Sequence, residues 1–182
     1  MDERCSKSKI ESKMKFLEVN NLDIEYQTRK ETIYASKNVS FNLQRGEIIG
    51  IVGESGSGKS TVANAIINLI DKPGIITNGS IKLDGGELHN DTDIIKNIRG
   101  KKIGFIFQDP QTSLNPLFKI RDQLIETIQT HSDLNFKEAE SKSINLLREV
   151  GIENPEKRIN DYPHQFSGGM RQRVVIALAI SC

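Results

Sequence analysis

Residues 53–60, Gly-Glu-Ser-Gly-Ser-Gly-Lys-Ser, match the pattern G-x-x-x-x-G-K-[ST]. They sit between the apolar run IIGIV, residues 48–52, and a segment with Val62, Ala63, Ile66, Ile67 and Ile70 at spacings of three and four. No other feature constrains the fold as tightly. A run apolar on both faces predicts a central parallel strand covered by helices, and the spacing after it predicts a helix that ends before Pro73-Gly74. Between them the glycines let successive backbone N–H groups turn inward around a phosphate, and the helix N-terminus adds about half a positive charge. Gly53, Glu54, Ser55, Gly56, Ser57 and Gly58 form the cradle. Lys59 is placed to reach β- and γ-phosphates, the Ser60 hydroxyl to coordinate Mg²⁺, and Thr61 to hydrogen-bond an α-phosphate. A glycine-rich turn with a solvated lysine is the bland alternative, and it leaves the framing by strand and helix unexplained.

Upstream the pattern has period two. Leu22, Ile24 and Tyr26 alternate along one run, and Val39, Phe41 and Leu43 along another, so both read as half-buried antiparallel strands. Downstream, GSIKLDGGEL gives a further exposed strand and a Gly-rich turn. KKIGFIF, residues 101–107, gives a second buried strand that stops at Gln108-Asp109-Pro110. The period then turns helical. Leu117, Ile120, Leu124, Ile125 and Ile128 mark one helix, and Asn135 with Glu138 resembles a capping box opening another, which stops at Gly151.

The 182 residues suffice for one domain, with 25 basic against 24 acidic side chains and a net charge of +1. No strong field points to nucleic acid or an anionic membrane. The longest apolar run, residues 174–180, is far short of the roughly 20 residues needed to span a bilayer. Residues 1–14 read as a short disordered tail, with folded sequence from Lys15. Cys5 and Cys182 lie far apart, without metal-like spacing, and read as reduced thiols.

Two further positions carry chemistry. In an open parallel sheet, ligands bind beyond the carboxyl ends of the strands, so Gln108 would face the same crevice as Lys59 if the two buried strands are parallel neighbours. Its neutral amide could help coordinate Mg²⁺ or orient a water; the alternative is a surface glutamine in a loop. Asp109-Pro110 reads as a turn-forming pair in preference to a metal carboxylate. The second position is Phe166-Ser167-Gly168-Gly169-Met170, which precedes a helix apolar all round. Ser167 is a good N-cap, and Gly168 and Gly169 leave their N–H groups uncovered, either as a second anion site or as the start of a capped core helix.

Together GESGSGKST, FIFQDP and FSGGMRQRV resemble the ATP-binding subunits of ABC transporters. The first is similar to their Walker A loop, Gln108 to the Q-loop glutamine, and the third to their signature motif, with Met170 where glutamine is commoner. FQDPQTSLNP and YPHQFSGGMRQR narrow the resemblance to the ATPase subunits of dipeptide, oligopeptide and nickel importers. The resemblance implies an α/β P-loop ATPase core from residue 15 to 182, with an N-terminal antiparallel β-subdomain and a helical subdomain over about 113–165. It implies ATP and Mg²⁺ as ligands and head-to-tail pairing with a second ATPase subunit, identical or related. Ser167, Gly168 and Gly169 would then serve an ATP held by the partner. It implies transmembrane permease subunits, indirectly a substrate-binding protein, and a place on the cytoplasmic face of the membrane. An aromatic residue stacks on adenine in the family. Tyr26 is the candidate, with Tyr34 and an ordinary strand tyrosine as alternatives. His164 reads as structural, and His89 and His131 as surface residues.

The pattern departs from the family in one respect. Members follow the signature helix with a strand ending in Asp-Glu and with later aspartate and histidine residues, whereas only 13 residues follow Gly169 here and none is acidic. The expectation is an incomplete ABC ATPase domain, able to bind nucleotide but not to hydrolyse it by itself. A soluble ABC-type ATPase working outside transport is the alternative class.

Overall fold

The period-two runs form strands. In the computed structural model β1 spans Lys15–Gln27, β2 Thr32–Gln44, β3 Gly74–Leu83 and β4 Gly86–Glu87, in the order β2-β1-β3-β4 and antiparallel throughout. The structure describes residues 15–88 and 92–182. The expected tail, with Cys5, and His89 therefore lie outside the described residues. The chain divides into two compact units, Met1–Lys96 and Asn97–Cys182.

In β1 the buried residues are Leu17, Val19, Leu22 and Ile24. The three-residue step from Val19 to Leu22 would turn Leu22 to the opposite face of a regular strand. An extra residue at Asn20-Asn21 restores it. Both ladders slip there, and Asn21 takes φ +47°. Gly79 of β3 lies against this bulge, where a Cβ would stand 2.5 Å from the Asn20 carbonyl oxygen. Asp23 then ties the three strands, accepting from the Asn38 backbone N–H of β2 and from Asn78 Nδ2 of β3 at 3.3 Å.

Helix α1 spans Lys59–Ile66 and buries Val62 and Ala65. It stops sooner than the apolar spacing suggests. Asn68 takes φ +52°, while Asn68 N–H donates to Ala65 O and Leu69 N–H to Asn64 O. That pair of bonds closes the last turn with a left-handed cap, which leaves Ile70 beyond the helix.

The second unit is helical: α3 Pro110–Ser113, α4 Ile120–His131, α5 Phe136–Glu149, α6 Pro155–Arg158, a 3₁₀ turn Pro163–Gln165 and α7 Gly168–Ile180. The short α2, Thr92–Ile98, precedes it. Ile120, Leu124 and Ile128 of α4 pack with Ala139 and Leu147 of α5 and with Val174 and Ala177 of α7 in one core. The Asn135–Glu138 capping box forms as expected, with Glu138 N–H to Asn135 Oδ1 at 3.1 Å and Asn135 N–H to Glu138 Oε2 at 2.9 Å. Gly151, at φ +76°, follows the end of α5. Leu117 is a correction: it lies before α4 and is 80% exposed.

The larger correction concerns the two central strands. Residues 48–52 carry no ladder, with Ile48 96% and Val52 95% exposed, and residues 104–107 carry none either. Ile103 makes only an isolated bridge to Arg99. A parallel strand apolar on both faces needs hydrogen-bonding neighbours and covering layers. Among the described residues the one sheet is the antiparallel sheet above, and it does not include them. No helix among the described residues is long and apolar enough to cross a membrane.

Candidate functional site

The loop after residue 52 is built around its glycines and its lysine. Gly56 and Gly58 take φ +82° and +87°, values that side chains resist. A Cβ on Gly58 would stand 2.0 Å from the Ala35 carbonyl oxygen, so this glycine lets the loop seat directly on β2. A Cβ on Gly53 would stand 2.7 Å from Ser57 Oγ. The turn is closed by Ser57 N–H to Glu54 O at 3.2 Å. Lys59 opens α1 and folds its ammonium back over the loop, donating to Gly53 O at 2.7 Å, Glu54 O at 2.5 Å and Ser57 Oγ at 3.2 Å.

The sequence-predicted residues Gly53 through Thr61 thus converge on one loop and helix start. The first intrahelical bond is Val62 N–H to Gly58 O. The N–H groups of Lys59, Ser60 and Thr61 therefore have no acceptor within α1 and point from its positive end. Gly53 to Ser57 and Ser60 are exposed, while Gly58, Lys59 and Thr61 are half-buried. A narrow glycine cradle, free N–H groups and one fixed ammonium fit a polyphosphate. The Ser60 hydroxyl on the same first turn is a hard oxygen donor suited to Mg²⁺.

Tyr26 belongs to the same unit. It is half-buried near the end of β1, paired with Ile33 of β2 and Gly74 of β3. Tyr34 is 63% exposed, with Lys37 Nζ 5.7 Å from its ring centroid.

In the second unit, Gln108 is exposed at a bend just before α3. The Asp109 carbonyl accepts from Thr112 Oγ1 and Ser113 Oγ, as a turn opening a helix would. Among the described residues no group of three His, Cys, Asp or Glu side chains could hold a metal. Ser167 caps α7, its Oγ accepting from Met170 N–H at 3.3 Å, and Gly168 and Gly169 are exposed with no atom where their Cβ would stand. Their N–H groups are open to an anion. His164 stacks on Tyr162, with centroids 5.7 Å apart. His131 departs from its reading as a free surface residue: a Cβ on Gly100 would stand 2.3 Å from His131 Nε2, so its half-buried ring lies directly on that glycine.

Two supports escaped the sequence reading. Arg173 Nη1 donates to Gly151 O at 2.8 Å, fastening the end of α5 to α7, the helix that Ser167 caps. The contact of Gly58 with Ala35 was equally hidden, because nothing local marks which backbone a glycine must approach.

Comparison with known proteins points to one family. The family described as ABC transporter matches residues 36–182. The oligopeptide transport ATP-binding protein OppD of Bacillus subtilis (strain 168) is 46% identical over 169 residues, covering 92% of this chain and 47% of that protein. The dipeptide transport ATP-binding protein DppD of Escherichia coli (strain K12) is 41% identical over 170 residues, covering 93% and 52% respectively. The chain thus spans about half the length of the curated relatives it matches. Among solved structures, the dimeric structure of MJ0796, a bacterial ABC transporter cassette, aligns with a TM-score of 0.79 at 33% identity, covering 91% of this chain and 69% of that one. The same cassette is known as a dimer in a post-hydrolysis state bound to ADP and Pi, with a TM-score of 0.80. With the motifs in place and the match extending through both units, the chain belongs to the ABC transporter family of ATP-binding proteins.

Proposed function

We propose that this chain supplies the ATP-binding subunit of an ABC importer for peptides, working at the cytoplasmic face of the membrane. The observation that carries the nucleotide reading is the Lys59 ammonium fixed over a glycine cradle at the start of α1. The peptide reading is supported by relatives named as oligopeptide and dipeptide transport proteins.

When bound, MgATP would supply the charge that glues two subunits together. The residues of this chain have separable tasks. Gly53 to Gly58 and the first N–H groups of α1 receive phosphate oxygens, Lys59 neutralises them, Ser60 offers a metal ligand, and Thr61 steadies the phosphate nearest the sugar. Tyr26 stacks on adenine. Its support is the ladder: Gly58 rests on Ala35, which lies on β2 between Tyr34 and Ser36, paired with Glu25 and Ile24 of β1. The Tyr26 end of β1 therefore runs beside the loop, and its ring is packed where the Tyr34 ring is solvated. Ser167, Gly168 and Gly169 present N–H groups to the ATP of a second subunit, identical or related. Gln108 coordinates Mg²⁺ or orients a water, and its loop with the helices around it (residues 113–165) passes motion to permease subunits. A substrate-binding protein would deliver the peptide to them.

Within these 182 residues no carboxylate follows Gly169. By itself the chain is expected to bind nucleotide without turning it over, since residues 170–182 offer no acidic side chain to activate water. The test pairs two measurements. MgATP at 100 times its dissociation constant should stabilise the chain by about 2.7 kcal/mol. Phosphate release should stay at background. No thermal shift would sink the binding reading, and release that tracks the protein through purification would sink the second.

A further inference from the structure

Gly74 opens β3 directly opposite Tyr26 in the β1–β3 ladder. A Cβ at Gly74 would stand 2.8 Å from Tyr26 Cε1, 2.5 Å from Ile70 Cγ2 and 2.9 Å from the Asp71 carbonyl oxygen. An aromatic ring edge is rigid, so a methyl group there would push the ring aside. The turn carrying Gly74 is pinned on both sides. Gly74 N–H donates to Asp71 O at 2.8 Å, and Pro73 O accepts from the N–H of Gln27, the residue after Tyr26. The turn cannot retreat without giving up one of these bonds.

We propose that Gly74 is a positioning residue for nucleotide binding: its missing side chain is the space in which the Tyr26 ring sits when it stacks on adenine. The inference rests on the reading of Tyr26 as the adenine-stacking residue. It assigns to Gly74 no contact with ATP. Its effect passes through the ring, so it should be felt by ligands that carry a base and not by bare phosphate.

The test measures equilibrium binding of MgATP and of magnesium tripolyphosphate, which has the phosphates but no base. The proteins are the unaltered chain, Tyr26→Ala, Gly74→Ala and the double variant. Each single variant should weaken ATP by about tenfold, within the range for losing a base–aromatic stack. Tripolyphosphate binding should stay within about twofold, and the double variant should bind ATP no more weakly than Tyr26→Ala, because the two changes remove one interaction. Outcomes against the proposal are separable. If Tyr26→Ala weakens ATP but Gly74→Ala does not, the positioning role of Gly74 is wrong and the stacking reading stands. If Gly74→Ala weakens ATP and tripolyphosphate alike, its role is general support. If Tyr26→Ala leaves ATP binding unchanged, the stacking reading fails and the inference with it, as it also does if the unaltered chain binds neither ligand. Should Gly74→Ala alone fail to fold, the double variant decides: folding restored by removing the ring supports the contact, and continued misfolding overturns it.

Discussion

The Lys59 ammonium lies 2.7 Å from the Gly53 carbonyl oxygen, six residues back along the chain. With Glu54 O and Ser57 Oγ it has an acceptor for each of its three protons. The cation is thereby held at the mouth of the cradle instead of sampling solvent. Phosphate oxygens are charged acceptors, so bonds to them are stronger than bonds to these neutral groups. Lys59→Ala should abolish the MgATP-dependent rise in melting temperature. It should leave the melting temperature without ligand nearly unchanged, because the head group binds only loop atoms. A retained MgATP shift in Lys59→Ala, read by calorimetry, would mean that the cradle is not the nucleotide site.

Gly58 and Gly56 provide an internal contrast. Both take left-handed backbone, which costs a side chain about 1–2 kcal/mol. At Gly56 nothing lies within 4 Å of the added Cβ, whereas at Gly58 the Ala35 carbonyl oxygen is 2.0 Å away. Gly58→Ala should therefore lose the strain plus the cost of overpacking, about 2–5 kcal/mol in all. Gly56→Ala should lose only the strain. Urea midpoints of the first unit would show the order, and equal losses would mean that the seat on β2 contributes nothing.

Much of this was legible in the sequence because it is local. The Asn135–Glu138 cap and the Ser167 cap are each written within a few residues and form as read, and the glycine turn with Lys59 at the start of α1 is local in the same way. The bulge at Asn21 was not read, although the three-residue step from Val19 to Leu22 is its trace. Ladders are different in kind. Residues 48–52 have the composition of a central strand, yet strand formation depends on neighbours distant in sequence, and composition cannot supply them. For the same reason Tyr26 and Tyr34 looked alike until β1 and β3 were paired, which set one ring against Gly74 and left the other exposed.

The capping box at the start of α5 has a measurable value. Asn135→Ala removes the acceptor for Glu138 N–H and should cost about 1 kcal/mol. Asn135→Asp keeps that acceptor and adds a negative charge at the helix N-terminus, so its stability should match or exceed that of the unaltered protein. Hydrogen exchange over the first turn of α5 would locate the effect. Equal stability of the alanine and aspartate variants would show that the bond from Glu138 N–H to the side chain at 135 contributes nothing in solution.

Glu156 sets a pH dependence whose direction follows from its surroundings. Its carboxyl is held below the ordinary glutamate range, first by a hydrogen bond from its own backbone N–H and then by Arg148, whose Nη2 lies 2.5 Å from Oε1. Both favour the ionised form in the folded state. The folded value lies below the unfolded one, so the contribution is present above the ordinary glutamate range and is lost as pH falls through the folded value. The side chain is exposed, and salt will weaken the part owed to Arg148. Carboxyl-carbon NMR titration should place the Glu156 midpoint below those of solvated glutamates. Arg148→Ala should move it only part of the way back, because the backbone bond stays. A full return would assign the shift to Arg148 alone, and no movement would show that the ion pair does not persist in solution.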